Sequence, residues 1–211
     1  MRYELKYAID HIDHHAIVAE LLSRHPSSFT RLFPDRQVNN IYFDTSQFHC
    51  FHQNIEGQPR RRKLRIRWYG TNSISSSATT LEVKNKDREL GWKRTIKLDH
   101  KIVDSLSAIQ AIQEKGFTQG NLVPVLCNSY LRSYYISSNG LFRMTIDRMQ
   151  RFSLPFQNNL FENKRHAVII EIKYAKEDEN LSNEVTDFIP YRQSKNSKYA
   201  VGVQEVYGVG I

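Results

Sequence analysis

The sequence predicts an α+β protein built on a closed antiparallel β-barrel of about eight strands, with two or three flanking helices. Six or more segments alternate charged or polar residues with apolar ones, which is typical of strands with two unlike faces. The charged faces carry both signs in ordered positions, whereas a sandwich would scatter charge over its surface. A closed barrel gives these faces a common interior and removes the sheet edges.

The alternation is clearest in RRRKLRIRWYG, residues 60–70, where Lys63, Arg65 and Arg67 alternate with Leu64 and Ile66. As a strand, this segment would present cations on one face and bulky apolar side chains on the other. The same pattern predicts strands in the other segments of the first half, which are RYELKYAI (2–9), VNNIYFDT (38–45), TTLEVKNK (79–86) and GWKRTIKL (91–98).

The second half returns to strands after one helix. Apolar residues recur at helical spacing between His100 and Gly116, and Gly116 is a suitable stop. A shorter apolar stripe predicts a helix from about Ile12 to Arg24, which Pro26 would end. Residues 180–206 are predicted to be mostly helical or irregular. The later strand segments are PVLCNSYLRSYYI (124–136), LFRMTIDRM (141–149) and RHAVIIEIKY (165–174).

Composition sets limits on partners and location. With 211 residues, of which 40% are hydrophobic and 25% charged, the chain is expected to form one domain over residues 1–211. A balance of 30 Lys and Arg against 22 Asp and Glu, with pI about 9.5, indicates a polyanionic partner. Two isolated cysteines, a charged N-terminus and no long apolar run predict a cytoplasmic protein that does not insert into a membrane.

The interleaved carboxylates indicate which polyanion fits. Glu4, Glu82, Asp147 and Glu171 lie at alternating positions among the cations, and carboxylates repel nucleic-acid phosphates, so no nucleic-acid partner is expected. The forked donors of arginine suit phosphate oxygens, and carboxylates suit a divalent metal that also binds phosphate. The residues therefore predict a polyphosphate pocket with a metal ion.

The motifs RYELKY, NNIYFDT, KLRIRWYG, LEVKNK followed by KR, YLRSYY, FRMTIDRM, VIIEIKY and SKYAVGV occur in an order and spacing that resemble the VTC domain. This is the catalytic domain of the vacuolar transporter chaperone polyphosphate polymerases, a branch of the triphosphate tunnel metalloenzyme (CYTH-like) superfamily. The resemblance covers Arg2 to about Val203. It implies a tunnel of antiparallel strands that binds triphosphate through basic residues, with Mn²⁺ or Mg²⁺ held by glutamate.

The resemblance also implies roles for individual residues. Glu171 matches the metal-binding glutamate, and Glu4 is the second metal candidate, although Arg2 stands where the wider superfamily has the first glutamate of its signature. The choice between Lys93 and Arg94 stays open, because alternation does not fix the register of a short hairpin. The expected catalytic residues are Lys6, Arg65, Arg67, Lys84 and Arg143. The expected phosphate-binding residues are Lys6, Arg65, Arg67, Lys84, Arg94, Arg132, Arg143, Lys173, Lys195 and Lys198.

The implied activity is transfer of the γ-phosphate of ATP to a growing polyphosphate chain by a metal-dependent phosphotransferase. Hydrolysis of inorganic triphosphate or polyphosphate in the same tunnel is the first alternative, and a non-catalytic polyphosphate- or nucleotide-binding module is the second. A chain-terminal phosphate is already ionised near neutral pH and needs no general base, in agreement with the lack of an obvious His or Ser pairing. Related polymerases work with membrane partners, and this chain would need another protein for such coupling.

Overall fold

The computed structural model describes residues 2–10, 16, 25–70, 73–118, 120–157, 163–165 and 167–209. The predicted helix from Ile12 to Arg24 lies outside this part of the chain, apart from Ala16. The helices of the described part are α1 His49–Ile55, α2 Ser105–Glu114, α3 Asn183–Thr186 and α4 Lys198–Tyr207. The strands are β1 Arg2–Ile9, β2 Thr30–Asp44, β3 Arg60–Tyr69, β4 Thr79–Asp87, β5 Leu90–Leu98, β6 Val123–Ile136, β7 Arg143–Ser153, β8 Asn163–Arg165 and β9 Val168–Ala175.

Eight of the strands form a closed antiparallel ring. Their order is β6, β2, β3, β4, β5, β1, β9 and β7, and β7 pairs again with β6. The short strand β8 is attached to β7 outside this ring. The seam between β1 and β5 is the thinnest, with Arg2 opposite Gly91 as its registered pair. The predicted closed barrel of about eight strands with a few helices is therefore confirmed.

The apolar strand faces point outward and are covered by helices and connecting segments. Leu64 and Ile66 of β3 are buried in a cluster with Ala108, Ala111 and Ile112 of α2. Each fully buried leucine or isoleucine side chain contributes about 1.5–3 kcal/mol to stability. The helix predicted between residues 100 and 116 is thus confirmed, and it attaches to the barrel through the apolar stripe that predicted it.

The ends of helix α2 match its sequence signals. Asp104 caps its N-terminus by accepting a hydrogen bond from the backbone N–H of Ser107 at 2.8 Å. Gly116, at φ +88°, lies just after its end, where a left-handed residue stops the helix. Every helix in the described part of the chain, including α2, is too short or too polar to span a bilayer.

A second apolar cluster covers the opposite wall of the barrel. It contains the outward side chains of β1, β7 and β9, among them Tyr7, Ile146 and Ile170. Val185 of α3 and Ile189, which follows it, pack on this cluster and are also buried. The inner faces of the same strands are left to the polar and charged residues, so the two-faced pattern in the sequence corresponds to an apolar outside and a charged lumen.

Helix α4 packs against the inner side chains of the barrel at one end. Its Tyr199 lies in an apolar cluster with Tyr42, Phe51 and Phe152. A Cβ at Gly202 would lie 2.5 Å from both the Leu126 and the Phe152 side chains, so only glycine allows this approach.

The buried carboxylate of Asp44 ties α1 to α4. It accepts hydrogen bonds from the backbone N–H groups of Cys50, at 2.9 Å, and Phe51, at 3.0 Å, and from the Tyr199 hydroxyl. Because Tyr199 is fixed in this way, the preceding residue, Lys198, enters the lumen at the start of α4.

Candidate active site

The charged contacts of the lumen involve nine cations and four carboxylates that come from seven strands and from α4. The shared feature is the strand alternation, because every strand residue among them lies on the inner face. The carboxylates are Glu4, Glu82, Asp147 and Glu171, and the cations are Lys6, Lys63, Arg65, Arg67, Lys84, Lys93, Arg132, Lys173 and Lys198.

The first group is centred on Glu82 of β4. Its Oε2 accepts hydrogen bonds from Arg65 Nε at 2.8 Å and Arg65 Nη2 at 2.6 Å, and its Oε1 accepts one from Lys93 Nζ at 2.6 Å. Arg67 Nη1 lies 3.6 Å from Oε2. Burial opposes ionisation of Glu82, but the charges of Arg65 and Arg67 hold its pKa well below the ordinary value. Glu82 is therefore an ionised counter-charge for three cations.

The two arginines of β3 are also held by neutral partners. Arg65 Nη1 donates to the Tyr42 hydroxyl at 3.0 Å. Arg67, which is buried, donates from Nε to Asn40 Oδ1 at 2.8 Å and from Nη2 to the Tyr130 hydroxyl at 3.1 Å. These contacts fix both guanidinium planes without neutralising them. A bound anion would meet donors that are already oriented.

A second group joins β6, β7, β9 and α4. Arg132 makes a two-pronged contact with Asp147, from Nε at 2.5 Å and from Nη2 at 2.6 Å, and it lies 3.3 Å from Glu171. Lys198 Nζ reaches Asp147 at 2.5 Å, and Lys173 Nζ reaches Glu171 at 2.7 Å. Burial works against ionisation of Glu171, yet Lys173 and Lys198 hold its pKa well below the ordinary value. Both carboxylates are therefore charged.

A third set of contacts is centred on Glu4 of β1 and joins the second group through Lys6. Lys84 Nζ lies 2.9 Å from one of its oxygens and Lys6 Nζ lies 3.0 Å from the other, while Lys6 is also 3.6 Å from Glu171. Burial, together with the charge of Lys6, lowers the pKa of Lys84 to about 8 although part of the side chain reaches solvent. Burial also holds the pKa of Lys63 well below its ordinary value, with Lys6 and Lys84 adding to the effect. The lumen is therefore short of negative charge at this point.

The structure gathers most of the predicted site residues in the lumen. Arg143 lies opposite Lys173 in the pairing of β7 with β9, where both line a cavity of about 480 Å³ together with Arg2, Trp92 and Lys93. The predicted residues that share the lumen contacts are Glu4, Lys6, Arg65, Arg67, Lys84, Arg132, Glu171, Lys173 and Lys198.

Two of the predicted site residues do not take part in the lumen contacts. Arg94 pairs with Val83, whose side chain is in the outer apolar cluster, so Arg94 points away from the lumen. Its neighbour Lys93 instead reaches Glu82, which resolves the choice between the two. Lys195 is exposed and precedes α4, and only Lys198 enters the cluster.

The structure adds lumen residues to which the sequence assigned no role in the site. Lys63 donates to Ser197 Oγ at 2.7 Å from the cation face that its alternation with Arg65 and Arg67 predicts, although only those two arginines were assigned to the site. Asp147 and Glu82 were recognised as interleaved charges, but their function as counter-charges depends on cross-strand pairing. Tyr42 and Tyr130 carry no charge pattern that would indicate contact with arginine.

The carboxylates of the lumen could hold a hard divalent cation together with oxygens from a bound phosphate. Glu4 and Glu171 supply carboxylate oxygens on neighbouring strands, and Glu4 is paired with Lys173, which adjoins Glu171. No group of three or more His, Cys, Asp or Glu side chains that could hold a metal occurs among the described residues. Mg²⁺ is commonly bound by one or two carboxylates plus substrate phosphates and waters. Glu171 and Glu4 fit that arrangement.

An antiparallel barrel closed around such a lumen is the architecture of a triphosphate tunnel protein. Comparison with known families supports this class, because the model of the VTC domain matches residues 1–207. The chain belongs to the VTC domain family, and the predicted resemblance is confirmed. A search of the curated proteins returns no match.

Solved structures show the same fold at low sequence identity. A protein of Pyrococcus horikoshii OT3 is 15% identical, with a TM-score of 0.59 over 97% of this chain and 99% of that one. A candidate adenylate cyclase of Vibrio parahaemolyticus is 15% identical, with a TM-score of 0.53 over 94% and 97%. A candidate adenylyl cyclase of Hippeastrum with a dominant triphosphatase activity is 17% identical, with a TM-score of 0.52 over 98% and 97%.

Proposed function

We propose that this VTC domain is a polyphosphate polymerase that transfers the γ-phosphate of ATP to the end of a growing polyphosphate chain in its lumen. The observation that carries the proposal is the charge balance, with nine cations against four carboxylates inside a closed barrel. Buried charge without compensation is unfavourable, and a polyanion is the ligand that offsets it. The polymeric product carries the same repeated charge as the triphosphate of the donor.

The lumen offers what phosphoryl transfer needs from a protein, namely alignment and neutralisation of charge. Arg65 and Arg67 present oriented guanidinium donors from β3, and Arg132 presents a third from β6. In this proposal, phosphate oxygens displace Glu82 from Arg65. Lys6 and Lys84 hold the neighbouring phosphates. The acceptor is a terminal phosphate that is already ionised, so no side chain has to remove a proton from it.

A divalent ion, Mn²⁺ or Mg²⁺, would be held by Glu171 with Glu4. When bound, the ion would withdraw negative charge from the phosphate oxygens during transfer of the phosphoryl group. The residues of the chain would act beside it. Lys173 and Lys6 would keep Glu171 ionised, and Arg132 would hold its orientation through the contact at 3.3 Å.

Hydrolysis of triphosphate or short polyphosphate is the second candidate. The Hippeastrum protein that shares this fold has a dominant triphosphatase activity, which supports water as an acceptor in such a lumen. Both reactions would use the same cations on the donor phosphates. They differ only in the acceptor, so product analysis separates them.

The test is incubation of the purified protein with ATP and Mn²⁺, followed by resolution of the products. Long polymer with ADP supports the polymerase, and free orthophosphate without polymer supports the hydrolase. If neither product forms while inorganic triphosphate still binds, the domain is a binding module and both enzymatic proposals fail. Arg65→Ala should lose product formation, because it removes a donor to the phosphates. Arg62→Ala is its matched control and should keep it, because Arg62 is an exposed arginine on the outer face of β3, opposite Asn85.

A further inference from the structure

Thr145 on β7 carries a buried hydroxyl without a partner. The residue is 7% exposed, and among the described residues its Oγ1 is the only buried side-chain nitrogen or oxygen that makes no hydrogen bond. Such a group loses its water on folding and gains nothing in return, which typically destabilises the folded state. Valine has almost the same shape and is equally suited to a strand, so packing alone gives no reason for a hydroxyl here.

The pairing of the strands places this hydroxyl in the lumen. Thr145 lies opposite Glu171 of β9 and opposite Tyr134 of β6. On its own strand it alternates with Arg143 and Asp147, which also face inward. The orphan hydroxyl is therefore next to the carboxylate proposed to hold the metal and beside the cavity that Arg143 lines.

The surrounding charged groups leave an anion as the partner that fits. Asp147 and Glu171 are engaged by lysine and arginine at 2.5–3.3 Å, and neither carboxylate accepts a hydrogen bond from the Thr145 hydroxyl. Arg143, two residues away, has no ion pair within the described part of the chain, and Lys173 lies opposite it. The Thr145 hydroxyl and the Arg143 guanidinium are therefore neighbouring donors that have no acceptor among the described residues.

We propose that the Thr145 hydroxyl donates a hydrogen bond to a phosphate oxygen of the bound triphosphate, between Arg143 and Glu171. The inference rests on the proposed triphosphate binding and adds a binding residue to it. The Thr145 hydroxyl makes no hydrogen bond in the free protein and would make one in the complex. Thr145 would therefore lower the stability of the free protein and raise its affinity for the ligand.

The experiment compares wild type, Thr145→Val and Thr145→Ser by calorimetric titration with inorganic triphosphate, with Mn²⁺ and with a chelator instead, and by thermal melting without ligand. Thr145→Val is expected to weaken binding about tenfold, which corresponds to about 1.4 kcal/mol, under both metal conditions. Its melting temperature is expected to stay the same or to rise. Thr145→Ser keeps the donor and should bind within about threefold of wild type, a factor worth less than 1 kcal/mol.

Three results would overturn the inference. Unchanged affinity in Thr145→Val would show that the hydroxyl does not touch the ligand. A loss of affinity only in the presence of Mn²⁺ would assign the hydroxyl to the shell of the metal and not to a phosphate. Equal losses of affinity in both variants, with lower melting temperatures, would show that Thr145 has only a packing role.

The proposed function fails in a different way. If wild type does not bind inorganic triphosphate at all, both proposals are wrong. If wild type and Thr145→Ser bind it and Thr145→Val binds it less well, but no polymer or orthophosphate is formed from ATP, the enzymatic proposal fails and the role of Thr145 stands.

Discussion

Removing the charge of Glu82 tests whether the lumen carboxylates stand in for substrate phosphates. Glu82→Gln keeps the size of a side chain that is 3% exposed, but it leaves Arg65 and Lys93 without the counter-charge they contact at 2.6 Å. Breaking a buried ion pair costs about 3–5 kcal/mol, and the lower end applies because Lys93 is one-third exposed. At about 2–4 °C per kcal/mol for a chain of this size, the melting temperature should fall by about 6–12 °C.

The same variant should gain more than wild type from a polyanion. Triphosphate at about 100 times its dissociation constant adds about 2.7 kcal/mol to the stability of any protein that binds it. In Glu82→Gln the ligand no longer competes with a carboxylate for Arg65, so its affinity should rise. The difference in melting temperature between variant and wild type should therefore shrink to less than half when inorganic triphosphate is present.

Differential scanning fluorimetry with and without inorganic triphosphate measures both effects. Glu89→Gln is the matched control, since Glu89 is exposed in the turn between β4 and β5, and its melting temperature should match that of wild type. The reasoning is refuted if Glu82→Gln melts within about 2 °C of wild type, less than the shift expected from 1 kcal/mol. It is equally refuted if triphosphate stabilises wild type and variant by the same amount.

Three further outcomes are expected. The double change Arg65→Ala with Arg67→Ala should abolish binding of inorganic triphosphate in a calorimetric titration; retained triphosphate binding with a loss of DNA binding would contradict the tunnel. Near pH 8, where Lys84 is only partly protonated, triphosphate should favour its ammonium form, so calorimetry in buffers of different ionisation enthalpy should show proton uptake on binding, and release would contradict the assignment. Gly202→Ala should destabilise the protein by about 1–3 kcal/mol in urea unfolding, because its Cβ would lie 2.5 Å from Phe152; an unchanged midpoint would show that α4 can shift.

The two-faced strands could be predicted because alternation depends only on neighbours along the chain. Arg65 and Arg67 face the lumen, and Leu64 and Ile66 face the outer core, as the pattern of KLRIRWYG predicts. The presence of both signs of charge at inner positions was enough to predict a closed interior. The position of Glu171 among several cations also agrees with the sequence, while its binding of a metal stays a prediction.

Features that depend on pairing between distant strands could not be predicted. Lys93 and Arg94 are adjacent cations, and only the pairing with Lys84 and Val83 shows which of them points inward. From the sequence, Lys195 and Lys198 were both predicted to bind phosphate. Lys198 enters the lumen because the next residue of α4 is anchored elsewhere in the barrel.

The unpaired hydroxyl of Thr145 is still harder to predict from the sequence. It is recognisable only when all its neighbours across two strands are known, because a threonine in a strand pattern reads as an ordinary β-branched residue. Sequence alternation places its side chain on the inner face, but it cannot show that the other groups there already have partners.

The ion pairs of the lumen fall into two kinds, and the difference indicates how a polyanion would enter. Asp147 is fully buried and is held by two bonds from Arg132 and one from Lys198, so this contact fixes the position of both cations. Glu82 and Glu4 instead hold Lys93 and Lys84, whose side chains are 33% and 40% exposed. An incoming phosphate is therefore expected to contact these accessible cations first and the buried donors afterwards.

Exchange of carboxylate for phosphate should therefore begin on the wall formed by β3, β4 and β5. Arg65 lies on that wall with Lys84 and Lys93, and Glu82 is the counter-charge that it shares with Lys93. The Asp147 contact on the opposite wall would persist throughout. With two kinds of ion pair, the barrel can fold without a polyanion and still offer cations to a polyanion that enters later. The ligand has to break only the pairs on the accessible wall, while the buried pairs continue to stabilise the lumen.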